Sequence, residues 1–145
     1  YLDSLSNINE MISNNPTYEK FIDDHRWAVI TTLRKTGAPV SSVVAYARDS
    51  DKLVVSTPGA TFKRASLQKD PRVNLCIVSN SEPFNFVAIE GLAEVSKKDL
   101  VRKTKLVFEK ISDMYEEPNP LEKWLDEQDR VIIEISAFRV SAVIR

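Results

Sequence analysis

The sequence predicts a mainly β protein built as a small barrel, and three observations favour this fold class. About seven short segments rich in β-branched residues are separated by turn-like stretches, which is typical of antiparallel strands. Only two or three segments have helical spacing, so strands and helices do not alternate as they do in a doubly wound sheet. The Gly-rich turn of a dinucleotide-binding fold is also missing. We therefore expect an antiparallel barrel with flanking helices.

The predicted elements follow one another closely along the chain. Residues 16–24 carry apolar side chains at helical spacing and predict a short helix that acts as a lid or a support. A second short helix is predicted over residues 61–69, where Asp70 and Pro71 end it. The predicted strands are 27–33, 40–47, 53–57, 73–79, 85–95 and a closing pair formed by 131–135 and 138–144.

The longest helix is predicted over residues 96–115. Ser96 and Asp99 have the spacing of a capping box, in which two side chains satisfy backbone N–H groups at a helix start. A further helical turn or two is predicted over residues 121–127, and Gly91 predicts a bend or bulge in its strand. The apolar face of the long helix is expected to pack against the barrel. The residues of this apolar face are Leu100, Thr104, Val107, Phe108, Ile111 and Met114.

Length and composition narrow the class of protein. The 145 residues suit a single domain over 1–145, with 1–24 as a helical extension, and such a chain buries roughly 70% of its unfolded surface. The 20 basic and 21 acidic residues nearly balance, which argues against nucleic acid or a membrane surface as a partner. The sequence has no apolar stretch that could span a bilayer, and its first residues do not resemble a signal peptide. A cytoplasmic protein is expected.

Hydroxyl and cationic side chains gather where the third predicted strand ends and the next helix begins. The strand end supplies two hydroxyls, a glycine lets the backbone turn freely, and a threonine can cap a helix whose first N–H groups are unpaired. Two cations follow in the first helical turn, so the segment has the groups that bind a phosphate. The alternative is an ordinary helix cap beside a solvated cationic face. These residues are Ser56, Thr57, Gly59, Thr61, Lys63 and Arg64.

Several runs of residues, taken in order, resemble a known family. They are 27–39 (WAVITTLRKTGAP), 53–57 (LVVST), Lys63 with Leu67, 70–73 (DPRV), 90–95 (EGLAEV) and the ending 129–136 (DRVIIEIS). Together they resemble the pyridoxamine-phosphate-oxidase-like split β-barrels, and most of all the branch of small reductases that use the deazaflavin coenzyme F420. The order and spacing of the runs carry the resemblance.

The resemblance implies a split β-barrel of six to seven antiparallel strands that works as a homodimer, with two cofactor sites in the grooves between subunits. It implies that strand-end hydroxyls and the lysine of a Ser/Thr-x-Lys motif hold the cofactor phosphate. The ring system is implied to lie against the second strand, with aromatic residues of the partner lining the pocket. The implied positions are Pro39, Val40, Ser41 and Ser42 for the ring, Ser56, Thr57, Thr61, Lys63 and Arg64 for the phosphate, and Phe84 and Phe86 for the aromatic residues.

The implied activity is hydride transfer between reduced coenzyme F420 and a small electron-poor organic acceptor. Two alternatives stay open: an FMN-dependent oxidase or reductase of the same fold, and a non-catalytic protein that binds a flavin or haem. A cofactor of this type carries the hydride itself, so the protein needs no acid–base constellation of its own. The sequence accordingly assigns no catalytic residue.

Other chemistry finds little support in the sequence. His25 is the single histidine, which excludes a paired histidine base or a His-rich metal site. It is expected on the surface before the first strand, with axial haem ligation as a minor alternative. Tyr46 could point into the pocket as a proton donor or pack with its hydroxyl at the rim. Cys76 is expected to be an inert core thiol, and Trp124 is expected to anchor packing rather than stack on a nucleic-acid base.

Overall fold

The computed structural model describes residues 10–111 and 115–145. No helix in these ranges is long and apolar enough to cross a membrane. The helices are α1 (Pro16–Asp24), α2 (Phe62–Lys69), α3 (Leu100–Ile111) and α4 (Leu121–Glu127). The strands are β1 (Trp27–Leu33), β2 (Pro39–Ala45), β3 (Ala47–Asp49), β4 (Lys52–Thr57), β5 (Arg72–Val78), β6 (Phe86–Ser96) and β7 (Val131–Val143).

The seven strands form one antiparallel sheet in the order β2-β1-β5-β6-β7-β4-β3. The long strands β6 and β7 pair along most of their length, and the first half of β7 also pairs with β4. The sheet curls until β2, at one edge, comes into contact with β4. The result is a curled half-barrel with flanking helices, which confirms the predicted mainly β, split-barrel fold.

Alternating burial along the strands builds the core inside this curl. Ile30, Leu75 and Ile89 lie in register across β1, β5 and β6, and each is at most 1% exposed. A second apolar cluster, which includes Val54 and Val107, lies between β4 and α3. Burial of these side chains is the main stabilising contribution to the fold and sets α3 against the sheet.

The predicted irregularity at Gly91 is confirmed. The pairing of β6 with β7 shifts register between Glu90 and Gly91. A Cβ atom at Gly91 would lie 2.5 Å from the backbone oxygen of Ser136, so only glycine allows the two strands to approach this closely.

The predicted strand 40–47 is wrong in one respect, because the structure divides it at Tyr46. Ala45 still pairs with Trp27 of β1, whereas Ala47 pairs with Val54 of β4. The hydroxyl of Tyr46 donates to the backbone oxygen of Ile22 at 2.7 Å, beneath α1. Residue 46 is therefore a corner where the chain changes strand partners. This contact also identifies α1 as a support of the barrel.

The capping box predicted at Ser96 does not form. Ser96 is the last residue of β6 and pairs with Ile132, and α3 begins only at Leu100. Asp99 has a φ of 51°, which is outside the helical region. Strand pairing holds the backbone of Ser96 in place of a helix cap.

Two further predictions need correction: the end of the helix predicted over residues 96–115, and the break between the last two predicted strands. Tyr115 lies in a bend beyond α3, and Met114 of the predicted apolar face lies outside the described residues. The closing pair predicted over 131–135 and 138–144 is one continuous strand, β7. A single strand forms because β6 pairs with both halves across the bulge.

Candidate functional site

A cleft of about 420 Å³ lies beside the end of β4. Its volume falls within the range of small-molecule sites. Residues 43–45 of β2 form one wall, β4 and α2 form the polar end, and α3 and α4 form the opposite wall. Ser56, Thr57 and Lys63, three of the predicted phosphate-binding residues, line it together.

The strand-end hydroxyls are held by other hydroxyls. Thr57 is buried, and its Oγ1 lies 3.3 Å from the Oγ1 of Thr61. The buried Thr104 of α3 donates from its Oγ1 to the Oγ of Ser56 at 3.3 Å. Since Ser56 accepts this proton, its own hydroxyl hydrogen remains available to a ligand in the cleft.

The predicted cap of α2 by the side chain of Thr61 does not form. Thr61 occupies the N-cap position with extended backbone, but its side chain makes no hydrogen bond to a helix N–H group. Its hydroxyl lies against Thr57 instead. Thr61 does not line the cleft itself, and its contact with the cleft residue Thr57 is its link to the site.

Lys63 and Arg130 form the cationic end of the cleft, and both are half-buried. Burial lowers the pKa of Lys63, and the positive charge of Arg130 lowers it further. Burial also lowers the pKa of Arg130. Among the described residues neither cation has a carboxylate partner that would offset these effects. Two such cations side by side favour the binding of an anion.

Arg130 is fixed by contacts that leave its charge free. Its Nη1 donates to the backbone oxygen of Ser56 at 3.2 Å and its Nε donates to the Oε1 of Gln128 at 2.8 Å. The guanidinium carbon lies 4.2 Å from the centre of the Trp124 ring, which is a cation–π contact. The arginine is therefore oriented by neutral groups, and a ligand would provide its counter-charge.

Arg64, the second predicted cation of α2, has a different role. Its Nη1 forms an ion pair with the Oδ2 of Asp129 at 2.8 Å, and the Nζ of Lys97 lies 2.7 Å from the Oδ1 of the same carboxylate. Arg64 does not line the cleft, and its guanidinium is paired with Asp129. It connects α2 to the turn that precedes β7.

Gly59 lies against this ion pair, and its role also differs from the prediction. Its backbone is not in the left-handed region, so the turn does not depend on free rotation. A Cβ atom at this position would lie 2.5 Å from the Oδ2 of Asp129 and 2.6 Å from the Nη1 of Arg64. Glycine is needed here for close approach, not for turning.

Aromatic side chains form the apolar part of the cleft. Trp27 and Tyr115 meet edge to face with ring centres 6.3 Å apart, and Phe108 and Trp124 do so at 5.9 Å. Trp124 is thus a packing residue, as predicted, and it also lines the cleft. Phe108 belongs to the predicted apolar face of α3, part of which turns out to face the cleft. Such walls suit a planar ligand.

The predicted ring-binding and aromatic residues lie apart from this cleft within one chain. Pro39, Val40, Ser41 and Ser42 are on the first half of β2, and only residues 43–45 of that strand line the cleft. Phe84 is 67% exposed before β6 and Phe86 is at the start of that strand. Their predicted contact with a cofactor across a dimer stays a prediction.

Tyr46 and His25 are excluded as cleft residues by their contacts. The Tyr46 hydroxyl donates to the backbone oxygen of His25 at 2.6 Å, and burial raises the pKa of Tyr46. His25 lies just before β1, as predicted, and is half-buried there because its ring packs on Phe21 and its Nδ1 accepts from the N–H of Asn80 at 3.1 Å. Burial lowers the pKa of His25, which favours the neutral ring.

Cys76 is half-buried on the face of β5 that points away from the core, so the predicted core position is wrong. Leu75 and Ile77, its neighbours, fill the core instead, as strand alternation requires. Burial raises the pKa of the Cys76 thiol, in keeping with an inert side chain. Within 10–111 and 115–145, no group of His, Cys, Asp and Glu residues is placed to hold a metal ion.

The sequence did not point to Arg130 or Thr104 as site residues. Arg130 directly precedes Val131, which pairs with Thr57, so the pairing of β4 with β7 brings the arginine to the cleft. Thr104 looked like part of a packing face. Their roles depend on contacts between distant segments, and the only signal was a cation immediately before a strand.

Comparison with known proteins assigns the chain to a family. The pyridoxamine 5'-phosphate oxidase family model matches residues 15–144. No curated protein matches the chain. A structure of a conserved hypothetical protein from Mycobacterium tuberculosis has a TM-score of 0.74 and 22% identity, with 92% of this chain and 86% of that chain covered.

Two further structures share the fold. A structure named F420 reductase has a TM-score of 0.70 and 21% identity, covering 88% of this chain and 98% of that chain. A haem-binding protein from Mycobacterium smegmatis has a TM-score of 0.69 and 19% identity, covering 90% of this chain and 55% of that chain. At these identities the structures establish the fold alone. Because the family model matches nearly all of the sequence, the chain belongs to the pyridoxamine 5'-phosphate oxidase family.

Proposed function

We propose that this protein is a homodimeric oxidoreductase that transfers a hydride between reduced coenzyme F420 and a small electron-poor organic acceptor. The observation that carries the proposal is the pair of half-buried cations, Lys63 and Arg130, at the polar end of an aromatic cleft. Coenzyme F420 joins a phosphate to a planar deazaflavin ring, so its two parts match the two ends of the cleft.

The residues present fit the phosphate. Lys63 and Arg130 would donate charge-assisted hydrogen bonds, each worth about 1.5–3 kcal/mol, and Ser56 would donate through its hydroxyl. The fixed contacts of Arg130 with Ser56 and Trp124 reduce the ordering that binding requires. The phosphate would thereby fix the position of the attached ring along the cleft.

The cofactor would supply the hydride, and the chain would contribute binding, orientation and a dry wall. Trp27, Phe108 and Trp124 would shield the apolar part of the cleft from water. Tyr46, for which the sequence left open a role as proton donor or as a packing residue, is committed to two backbone oxygens away from the cleft. We therefore assign no proton-transfer step to a side chain of this protein.

A second candidate within the same fold is an FMN-dependent oxidase or reductase. The family description favours it, because that description names an oxidase, while the structure named F420 reductase favours the first candidate. Lys63 and Arg130 would hold the phosphate of FMN in the same way. A third candidate, a non-catalytic binding protein, is suggested by the haem-binding structure of the same fold.

Ligand titration separates these candidates. The purified protein is titrated with F420, FMN and haem, and binding is followed by fluorescence or absorbance. Saturable F420 binding with weak FMN binding supports the proposal, whereas a yellow protein that binds FMN and not F420 overturns it. Anaerobic mixing of the loaded protein with enones, quinones, nitro compounds and tetrapyrroles then tests for catalysis. Hydride transfer to none of them would favour the binding protein.

The proposed dimer is supported by an apolar row on the outer face of the sheet. Val43, Val29, Cys76 and Ala88 lie side by side across β2, β1, β5 and β6. Val43 is 70% exposed and also lines the cleft, so a second copy covering this row would border the cleft. Light scattering at micromolar concentration tests this: a dimer is expected, and a monomer would contradict a shared site.

A further inference from the structure

A groove of about 340 Å³, separate from the cleft, lies between α2 and the turn that joins β1 to β2. Phe62, Ser66 and Lys69 face it from α2, at positions that share one side of the helix. Lys63 lies on another side of α2 and lines only the cleft. The proposed function leaves this groove unused.

Three cations surround the groove: Arg34, Lys35 and Lys69. In the part of the chain that the structure describes, none of them forms an ion pair. Asp70 also lines the groove, but both of its carboxylate oxygens are occupied by Arg72, at 3.0 Å from Nε and 2.7 Å from Nη2. These hydrogen bonds also hold the pKa of Asp70 below its ordinary value. The groove therefore carries an uncompensated positive charge, which concave walls concentrate.

Arg34 is held in place without a carboxylate. Its guanidinium carbon lies 5.0 Å from the centre of the Phe62 ring. Its backbone N–H donates to the oxygen of Ala38 and its backbone oxygen accepts from the N–H of Gly37, both at 2.8 Å. Gly37 has a φ of 88°, which fixes the turn. The cation is thus positioned by a ring and a tight turn, and its hydrogen-bond donors remain free for a ligand.

We propose that this groove is a second binding site, for an organic molecule that carries two or more carboxylate or phosphate groups. A single negative charge would gain little from exposed cations in water, but several charges would engage Arg34, Lys35 and Lys69 together. Phe62 is 50% exposed and offers an apolar surface to the frame of such a molecule. This site is independent of the cleft and of the cofactor proposed for it.

The first test uses citrate and inorganic pyrophosphate as probes of the carboxylate and phosphate forms, with acetate as the monovalent control. Calorimetry at low ionic strength should show saturable binding of at least one multivalent probe and none of acetate, and the tighter probe identifies the preferred form. In backbone NMR spectra the shift changes should include Arg34, Lys35 and Lys69, whether or not the probe also enters the cleft. No multivalent binding, or shift changes confined to Ser56 and Lys63 with none in the groove, would overturn the proposal.

The second test compares a variant that loses two positive charges in the groove with a variant that loses two positive charges outside it. Lys35→Gln with Lys69→Gln should weaken binding of the better probe by about tenfold or more, because two charge-assisted contacts are lost. Lys98→Gln with Lys105→Gln, a matched control at exposed positions outside the groove, should leave affinity within about twofold. Equal losses in the two variants would mean a general charge effect and would refute the site. Lys63→Ala should leave the shift changes at Arg34, Lys35 and Lys69 intact, and their loss would place the probe in the cleft.

Discussion

Lys63→Ala removes one of the two cations from the cleft and tests whether they bind a phosphate. The ammonium group is half-buried beside Arg130 and has no carboxylate partner among the described residues. If Lys63 donates one charge-assisted hydrogen bond to the ligand, its loss costs about 1.5–3 kcal/mol, which is about tenfold to a few hundredfold in affinity. Fold stability should stay the same or rise slightly, because a repulsion and a buried charge are removed and alanine favours the helix.

The assay combines ligand titration with thermal unfolding. Wild type and Lys63→Ala are titrated with F420 and with FMN, and their melting curves are recorded without ligand. Lys105→Ala removes an exposed lysine from α3 and serves as the control for net charge. It should leave the affinity unchanged.

Arg130→Gln completes the experiment. Since Lys63 and Arg130 would contact the same phosphate, their effects on affinity should not add in the double variant. A lower melting temperature with unchanged affinity for both cofactors in Lys63→Ala would mean that the lysine is structural. The same pattern in Arg130→Gln would remove the basis of the proposed function.

Three further predictions concern the cleft and the sheet. A bound phosphate should raise the lowered pKa of Lys63, so binding takes up a proton, and the affinity falls as the pH rises through the pKa that Lys63 has without ligand. Calorimetry in buffers of different ionisation enthalpy measures this proton uptake. An affinity that does not change with pH across that range would contradict the prediction. Thr104→Val removes the donor to Ser56 and should weaken ligand binding severalfold, with recovery in Thr104→Ser; equal affinities of the two variants would show that the hydroxyl does not matter. Gly91→Ala should lower the free energy of unfolding, measured by urea denaturation, by about 1–3 kcal/mol, because the alanine Cβ would meet the backbone oxygen of Ser136. An unchanged urea midpoint would show that the two strands move apart without cost.

The elements that the sequence predicted well are those whose patterns are local. The bounds of β1 and of α1 agree with the prediction because alternating or helical burial runs through the whole element. Ser96 shows where this reasoning fails. Its spacing to Asp99 favours a helix cap, but pairing with Ile132 extends β6 through it. The pairing of Ser96 with Ile132 outweighs its local preference for a helix cap, and the local sequence pattern does not indicate this pairing.

The candidate site divides in the same way. Ser56, Thr57 and Lys63 lie close together in the sequence, so their meeting could be predicted. Arg130 is 74 residues away from Ser56, whose backbone oxygen it contacts. Only the register of β4 with β7 brings it there, and register depends on the packing of the whole sheet.

Two adjacent pairs of residues explain how the cleft holds its two cations side by side. Lys63 and Arg130 repel each other, so another interaction must hold their backbone segments close together. Their neighbours Arg64 and Asp129 provide it through an ion pair at 2.8 Å, against which Gly59 packs without room for a side chain. The attraction of one pair thus keeps the start of α2 against the start of β7. The repulsion of the other pair is left for a bound anion to relieve.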